Sequence, residues 1–477
     1  MLWCGWRPCP PAASTHSALL PPQRGQTREA TMKRTMPMLT VIAALLLAAC
    51  GGASAPSPTA AGGAGSGAAA TAAPAAPGTG EPTNITYMMW GSPEELEVWN
   101  AIVADFHTAH PDINVKVEVS DWESYWNKLK TLYAGGTPPD VFAMDAPLYP
   151  DWQSRGVLLN LQPYIDKTPG LLGGLYPNTL AAYQRTDGYY GLPRDFNTVT
   201  LFYNKDMFDA AGVPYPDDTW TYDKLREVAK QLTKDTDGDG KTDQWGLASD
   251  MWDMELIWSE AIWGYGGAVI SPDYSKTLLA EGKAHDAWQQ LAGMMVDDQS
   301  MPSPSVASEY GGDPFAAGVA AMTTIGHWVV PQYAQLGFKW DVAPMPSGPA
   351  GRATSVNSAG FVIAKDSKHA DAAWQFVQFA ISEPGQKRLA ELGFAIPVLK
   401  SVAESPSFLQ KKNTAINEQV FLDALSYARP KPSFKGYEEW AAAVGDGLVP
   451  VWNGEKALDA ALAEIVPAAD AVLANNK

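Results

Sequence analysis

The sequence predicts an α/β fold, in which helices and strands alternate along the chain. Two observations support this prediction. Apolar residues recur at helical spacing between short runs that alternate or are wholly apolar, as β-strands do. In addition, 46% of the 477 residues are hydrophobic, which is enough for a large core. The formal charge of −18 at pH 7 would repel phosphate backbones, so nucleic acid is not an expected partner.

The individual elements follow from these periodicities. The second helix ends where Gly135 and Gly136 interrupt the pattern. The predicted elements, in chain order, are strand 85–90, helix 96–106, strand 115–119, helix 122–133, strand 141–144, strand 323–325, strand 361–364 and helix 373–380. Four tryptophans at helical apolar spacing are expected in the core, namely Trp99, Trp126, Trp288 and Trp374.

The first 49 residues are predicted to be a leader that contains a secretory signal. Met32-Lys33-Arg34 gives a positive start, residues 36–49 are mostly apolar, and translation is expected to begin at Met32. Leu47-Ala48-Ala49-Cys50 resembles the bacterial lipobox, which implies cleavage before Cys50 and lipid attachment to its thiol. The alternative is a plain secretory peptide with a chance cysteine. Residues 50–81 are rich in Ala, Gly, Pro, Ser and Thr and are expected to form a tether.

Signatures of catalysis are absent from the sequence. It contains no His-Glu-x-x-His, no Gly-x-Ser-x-Gly and no Walker loop. The three cysteines lie at or before position 50, so no cysteine nucleophile or thiolate cluster can act in the body of the chain. The sequence therefore predicts a protein that is not an enzyme and requires no cofactor.

One segment has the layout of a calcium loop. Acids stand at positions 1, 3, 5 and 9 and a glycine at position 6, through Asp235, Asp237, Asp239, Asp243 and Gly240. The twelfth position, where calcium loops carry a bidentate acid, is Gly246. A structural calcium is one interpretation, and a polar turn without metal is the other.

Several separated blocks resemble the family 1 extracellular solute-binding proteins, the sugar-binding subunits of ABC importers. The longest block runs from Gly191-Leu192-Pro193-Arg194-Asp195 to Tyr203-Asn204-Lys205-Asp206-Met207-Phe208. The others, in the family's order, are Thr137-Pro138-Pro139-Asp140-Val141, Gly326-His327-Trp328, Ser358-Ala359-Gly360-Phe361 and Ser382-Glu383-Pro384-Gly385-Gln386. Together they cover nearly all of residues 82–475.

The resemblance implies a two-lobed fold of the periplasmic-binding-protein type II class, with the ligand cleft between lobes joined by three crossings. The crossings are expected at 193–199, 342–345 and 394–397. Lobe one would then comprise 82–195 and 345–394, and lobe two 198–342 and 398–477. Ligands of open α/β sheets lie beyond the carboxyl ends of strands, and domain clefts are the usual site.

Candidate cleft residues combine aromatic rings, which stack on sugar faces, with polar groups that bind hydroxyls. They are Trp90, Ser92, Asp145, Asp195, Asn197, Trp252, Trp263, Trp328, Asn357 and Ser358. For Trp252 and Trp263, simple packing is an equal alternative. Asp145 and Asp195 could instead cap helices or turns.

These observations predict an exported, lipid-anchored monomer on the outer face of the cell membrane. It would bind a mono- or oligosaccharide and deliver it to permease subunits. The alternatives are a secreted carbohydrate-active enzyme, which would need two positioned carboxylates, and a binding protein for another polar solute such as a polyamine. A cationic solute would call for several acids beside aromatic residues in the cleft.

Overall fold

The computed structural model describes residues 81–410 and 416–475. The predicted leader, the lipidation site at Cys50 and the tether up to residue 80 lie outside these residues. Among the helices that the structure describes, none is both long and apolar enough to cross a membrane.

The strands of the described residues fall into one large sheet and two small hairpins. They are β1 (Thr83–Trp90), β2 (Ile113–Ser120), β3 (Val141–Asp145), β4 (Gln184–Arg185), β5 (Gly188–Tyr189), β6 (Leu192–Asn204), β7 (Met322–Gly326), β8 (Trp340–Ala343), β9 (Ser347–Gly348), β10 (Gly351–Arg352), β11 (Thr354–Ile363) and β12 (Ala428–Pro430). The strands predicted at 85–90, 115–119, 141–144 and 323–325 are confirmed, and the strand predicted at 361–364 overlaps the end of β11.

Helices connect the strands and cover the sheet. They are α1 (Pro93–Ala109), α2 (Trp122–Ala134), α3 (Tyr149–Ser154), α4 (Gln162–Ile165), α5 (Pro177–Ala181), α6 (Lys205–Ala211), α7 (Tyr222–Leu232), α8 (Trp258–Gly264), α9 (Gly282–Ala292), α10 (Pro304–Glu309), α11 (Val330–Tyr333), α12 (Ala370–Ala380), α13 (Glu383–Leu392), α14 (Lys400–Ala403), α15 (Pro406–Leu409), α16 (Gln419–Asp423), α17 (Tyr437–Trp452) and α18 (Leu458–Asn475). A π-helical turn spans Gly293–Asp297, and 3₁₀ turns span His327–Val329 and Ala424–Ser426.

The large sheet has the strand order β2-β1-β3-β11-β6-β7, with β12 also paired to β11 and β8 to β6. β1 is parallel to β2 and β3, whereas β11 runs antiparallel to both β3 and β6. The parallel pairs require helical crossovers, and α1 and α2 supply them. The predicted α/β alternation is therefore confirmed for the first three strands.

Both faces of the sheet are buried, because successive residues of β1 enter different cores. Tyr87 and Met89 pack in the core with α1 and α12, whereas Met88 packs in the core that contains α2. The four tryptophans predicted to be core residues are all buried. Helices on both faces are the arrangement expected when a sheet is buried on both sides.

β6 runs through two different strand environments. Its residues 192–198 pair with β11, and its residues 199–204 pair with β7 and β8. Phe196 exchanges backbone hydrogen bonds of 3.1 and 3.3 Å with Ile396. The segments predicted as the first and third crossings therefore lie side by side. The lobe boundaries themselves stay a prediction.

Candidate functional site

Two partly exposed asparagines lie in neighbouring central strands of the large sheet. Every residue of β6 is buried except Asn197, and every residue of β11 is buried except Asn357. The two are direct register partners on neighbouring antiparallel strands, so their side chains lie on the same face of the sheet. We call them the Asn pair. A half-exposed polar pair in two otherwise buried strands indicates a place where a polar ligand can reach the sheet.

Asp145 joins the Asn pair from the carboxyl end of β3. Its Oδ1 accepts a 2.9 Å hydrogen bond from Nδ2 of Asn357, and the side chain is only 5% exposed. Burial raises the pKa of Asp145 to about 6, while the nearby Lys431 ammonium acts in the opposite direction. The structure thus brings together three of the residues predicted for the cleft, Asp145, Asn197 and Asn357.

A group of buried charges lies beside Asp145. Nζ of Lys431 lies 3.2 Å from Oδ1 of Asp253 and 3.3 Å from Oε2 of Glu255, and all three side chains are buried. We call Lys431, Asp145, Asp253 and Glu255 the Lys431 cluster. It draws together β3, the irregular segment before α8 and the segment before α17. A single ammonium therefore contacts two carboxyl groups, and the third, that of Asp145, lies close enough to act on its pKa.

The pKa values of the cluster reflect burial opposed by charge. Burial raises the pKa of Glu255 to about 8, although the Lys431 ammonium favours its ionised form. Burial alone would lower the pKa of Lys431, but the adjacent carboxylates of Asp253 and Glu255 raise it well above its ordinary value. Lys431 is therefore charged at neutral pH, and Glu255 is mostly protonated.

Asn197 contributes an acceptor that has no partner among the described residues. Its Oδ1 atom is buried and accepts no hydrogen bond from them. A buried amide oxygen without a partner costs about 1–3 kcal/mol, and a bound hydroxyl or amine would remove that cost. This atom is the strongest local sign that the Asn pair receives a ligand.

Trp90 ends β1 next to β3, as predicted, and is half-buried. Its ring centroid lies 5.0 Å from that of Trp122 and 5.8 Å from that of Trp126, so one part of the indole belongs to an aromatic cluster. Ser92 caps α1, and its hydroxyl accepts a hydrogen bond from the backbone N–H of Glu95. The capping role is the one that the structure supplies for Ser92.

Asp195 and Ser358 have structural partners within the fold, and the ligand contacts predicted for them stay a prediction. The Asp195 carboxylate lies 2.5 Å from Nε of Arg194, and both side chains are buried within the fold. Arg194 also donates a 3.0 Å hydrogen bond to the hydroxyl of Tyr87. The Ser358 hydroxyl donates to the backbone carbonyl of Asp195 at 2.9 Å. These groups fix β6 against β1 and β11.

The two predicted tryptophans before and within α8 differ in exposure. Trp263 is 7% exposed and belongs to the largest core, which favours the packing alternative. Trp252 is half-buried, its Nε1 donates a 2.8 Å hydrogen bond to Asp446, and its ring lies against Gly445 of α17. Because Asp253 of the Lys431 cluster is the next residue, Trp252 lies at the edge of the site.

Trp328 lies in the 3₁₀ turn directly after β7 and is half-buried. Its indole folds back over Gly326, where an added Cβ would lie only 1.9 Å from Cζ3. Gly326 is therefore required for this ring position. The ligand-stacking role of Trp328 stays a prediction.

The predicted calcium loop brings three acids together on the surface. One oxygen from each of Asp235, Asp237 and Asp239 lies within 4.8 Å of the others. Asp243 instead accepts hydrogen bonds from the backbone and hydroxyl of Thr236. Gly240 has φ of +88°, in the left-handed region that glycine favours. Oxygens of three of the four acids therefore lie close enough for one cation, and backbone N–H groups of the loop also donate hydrogen bonds to these three acids.

Sequence reasoning missed Asp253, Glu255 and Lys431. None of them follows a predicted strand, and Lys431 is 178 residues away from Asp253 in the chain. The one local signal was the acidic residue directly after Trp252, and it is a weak one.

The α/β fold, with the polar Asn pair inside its large sheet, is one that binding proteins of known structure share. An ABC substrate-binding protein from Listeria monocytogenes, solved in complex with cycloalternan, superimposes with a TM-score of 0.75 at 26% identity, covering 83% of this chain and 99% of that one. A putative binding protein of Brucella abortus (strain 2308) is 26% identical over 375 residues, which is 77% of this chain and 88% of the relative. The galactooligosaccharide-binding protein of Bacillus subtilis (strain 168) is 24% identical over 372 residues, 75% of this chain and 82% of the relative.

The family model described as bacterial extracellular solute-binding protein matches residues 90–387. This match covers more than half of the chain, and the chain belongs to that family. The predicted fold class, that of the periplasmic solute-binding proteins, is confirmed by the same comparisons.

Proposed function

We propose that this protein is the sugar-binding subunit of an ABC importer, which captures a mono- or oligosaccharide and delivers it to permease subunits. The main observation behind the proposal is the Asn pair. Its members are the half-exposed residues of two otherwise buried strands, and Asn357 donates a hydrogen bond to Asp145. Carboxylates and amides arranged in a fixed geometry are the groups that bind sugar hydroxyls.

Aromatic residues complete the site. Trp90 ends the strand beside β3, and Trp252 precedes Asp253 in the chain, so we expect their indoles to lie near the polar groups. A sugar presents an apolar C–H face to such rings. Two of the similar proteins are described with oligosaccharide ligands, one with cycloalternan and the other with galactooligosaccharide.

The protein would act without chemistry, as a monomer held on the outer face of the cell membrane by lipid on Cys50. Membership in an extracellular solute-binding family supports the location. Two carboxyl groups of the Lys431 cluster, those of Asp253 and Glu255, contact the Lys431 ammonium, which leaves them less suited to act as a glycosidase pair.

The test is a thermal-shift screen of mono- and oligosaccharides and of polyamines, followed by analysis of each hit for products. A ligand that binds only the folded state raises the melting temperature by mass action. We expect a sugar that stabilises the protein and is recovered unchanged. Hydrolysis of the hit would establish the alternative of a carbohydrate-active enzyme. A screen in which only polyamines bind would establish the alternative of a binding protein for another polar solute.

A further inference from the structure

The Lys431 cluster holds more negative than positive groups in a place that water barely reaches. With all four groups ionised, three carboxylates face one ammonium, leaving an excess of two negative charges. Buried charge without compensation is costly, because burial removes the water that would otherwise solvate it. The ligand-free protein must therefore compensate this excess in another way.

Protonation supplies part of that compensation. The pKa of Glu255, raised by burial to about 8, lets this carboxyl group hold a proton at neutral pH. Two phenols also face the cluster: Tyr437 from α17 faces Lys431, and Tyr183 faces Asp145. Neither phenol carries a positive charge. The cluster therefore keeps a net negative charge in the absence of ligand.

We propose that the sugar bound at this site carries a protonated amino group, which lies among the carboxylates of the Lys431 cluster while its neighbouring groups reach Oδ1 of Asn197. The inference rests on the proposed function and names the class of sugar. An ammonium supplies donors for the carboxylates, and its positive charge lets Glu255 ionise without adding to the net negative charge of the cluster.

The unpartnered Oδ1 of Asn197 supports the same ligand independently of charge. It lies across the strand pair from Asn357, whose amide contacts Asp145. A sugar ring with an ammonium group at one position and hydroxyls at the neighbouring positions would therefore form hydrogen bonds with both the Asn pair and the Lys431 cluster. A neutral sugar would satisfy Asn197 but would leave the excess charge in place.

The experiment compares sugars that differ at one substituent. Glucosamine, galactosamine and mannosamine are each paired with the parent hexose and with the N-acetylated form, as monosaccharides and as short oligomers, and affinities are measured by titration calorimetry at pH 7. The N-acetyl form keeps the nitrogen but removes its charge. We expect the amino form of the bound sugar to bind at least tenfold more tightly than both matched forms.

The outcomes separate the two claims. Equal or tighter binding of a neutral form would overturn the amino-sugar proposal and leave the sugar-binding function standing. Binding of no sugar in any form would overturn the proposed function and this inference with it.

Variants test the assignment to the cluster. Glu255→Gln and Asp253→Asn keep side-chain size, and each removes a carboxyl group that would carry negative charge beside the bound ammonium, so each should reduce the preference for the amino form at least threefold. Glu439→Gln removes an exposed acid on α17 and should leave the preference unchanged. Melting curves without ligand show whether each variant folds. If one of the two variants does not fold, the other still tests the proposal. An unaltered preference in a folded variant of either acid would overturn the proposal.

Discussion

Asn357 holds Asp145 in place: its Nδ2 donates a 2.9 Å hydrogen bond to Oδ1 of the carboxyl group, and its own Oδ1 accepts a 2.9 Å bond from the backbone N–H of Ser358. The amide is therefore fixed at both ends. This contact joins β11 to the carboxyl end of β3 and sets the direction in which Asp145 faces a ligand.

Asn357→Ala should weaken ligand binding by about tenfold to a hundredfold. A hydrogen bond to a charged group contributes about 1.5–3 kcal/mol, and the freed carboxylate would lose its orientation. Titration calorimetry with the ligand found in the sugar screen measures the change. Asn178→Ala, at an exposed position on α5, is the matched control. Wild-type affinity in Asn357→Ala would remove Asn357 and Asp145 from the binding site.

Trp328→Ala should reduce affinity by about tenfold, the ratio that corresponds to 1.4 kcal/mol, if the indole stacks on the sugar. The ligand-free melting temperature should fall little, because the ring is only half-buried. Trp288→Ala provides the contrast, since truncation of a fully buried Trp costs about 3–5 kcal/mol. A loss of stability in Trp328→Ala as large as that in Trp288→Ala would show that Trp328 is a packing residue.

Glu260→Gln should raise the free energy of unfolding at pH 8 and should raise it by less at pH 5. Burial raises the pKa of Glu260 to about 8 from an ordinary value of about 4.5. The folded state thus retains a proton that the unfolded state releases, so stability falls as pH rises through that window. One pKa unit corresponds to about 1.4 kcal/mol, and we expect at least that gain.

Urea unfolding at the two pH values measures the Glu260 effect. Glutamine retains an acceptor for the backbone N–H of Ser355, which donates to Oε1 of Glu260 at 3.0 Å. The exposed Glu439→Gln should show no such pH dependence. Parallel pH profiles for Glu260→Gln and wild type would contradict the raised pKa.

Calcium at the loop of Asp235, Asp237 and Asp239 should raise the melting temperature in a way that chelator reverses. Their oxygens already lie close enough to surround one cation. Asp237→Asn should abolish the response, whereas Asp217→Asn, at an exposed acid outside the loop, should not. Identical melting curves with calcium and with chelator would identify the loop as a polar turn.

Cys50→Ser should release the protein from membranes into the soluble fraction. Lipid attached to the cysteine thiol would be lost, and the rest of the chain would remain. Cys9→Ser should leave the distribution unchanged, since it precedes the expected start at Met32. Membrane fractionation with an antibody to the folded part measures both. Equal membrane retention in the two variants would count against lipidation.

Periodicity predicted the parts of the fold in which local pattern and burial agree. β1 to β3 and the core tryptophans are examples, because alternation and helical spacing are visible within a dozen residues. The site was only partly predictable. Asp145 follows a buried strand and was therefore found, but Lys431 meets its partners only through packing of distant segments.

Asp195 shows the opposite limit of sequence reasoning. Ligand contact by Asp195 stays a prediction, but the sequence did not reveal that the carboxylate also forms a buried ion pair with its neighbour Arg194. Ionic partners within the fold cannot be separated from ligand contacts by residue type alone.

The position of β11 in the sheet also bears on how the chain folds. β11 is flanked by β3, more than 200 residues earlier, and by β6, about 160 residues earlier. Until residue 363 has been synthesised, β3 and β6 each lack this partner, so the two sides of the sheet cannot be joined. Such long sequence separations slow folding, because much chain entropy is lost before the contacts form. The two sides of the sheet can therefore be joined only after about three quarters of the chain has emerged, when β11 inserts between β3 and β6, and β12 adds to β11 later still.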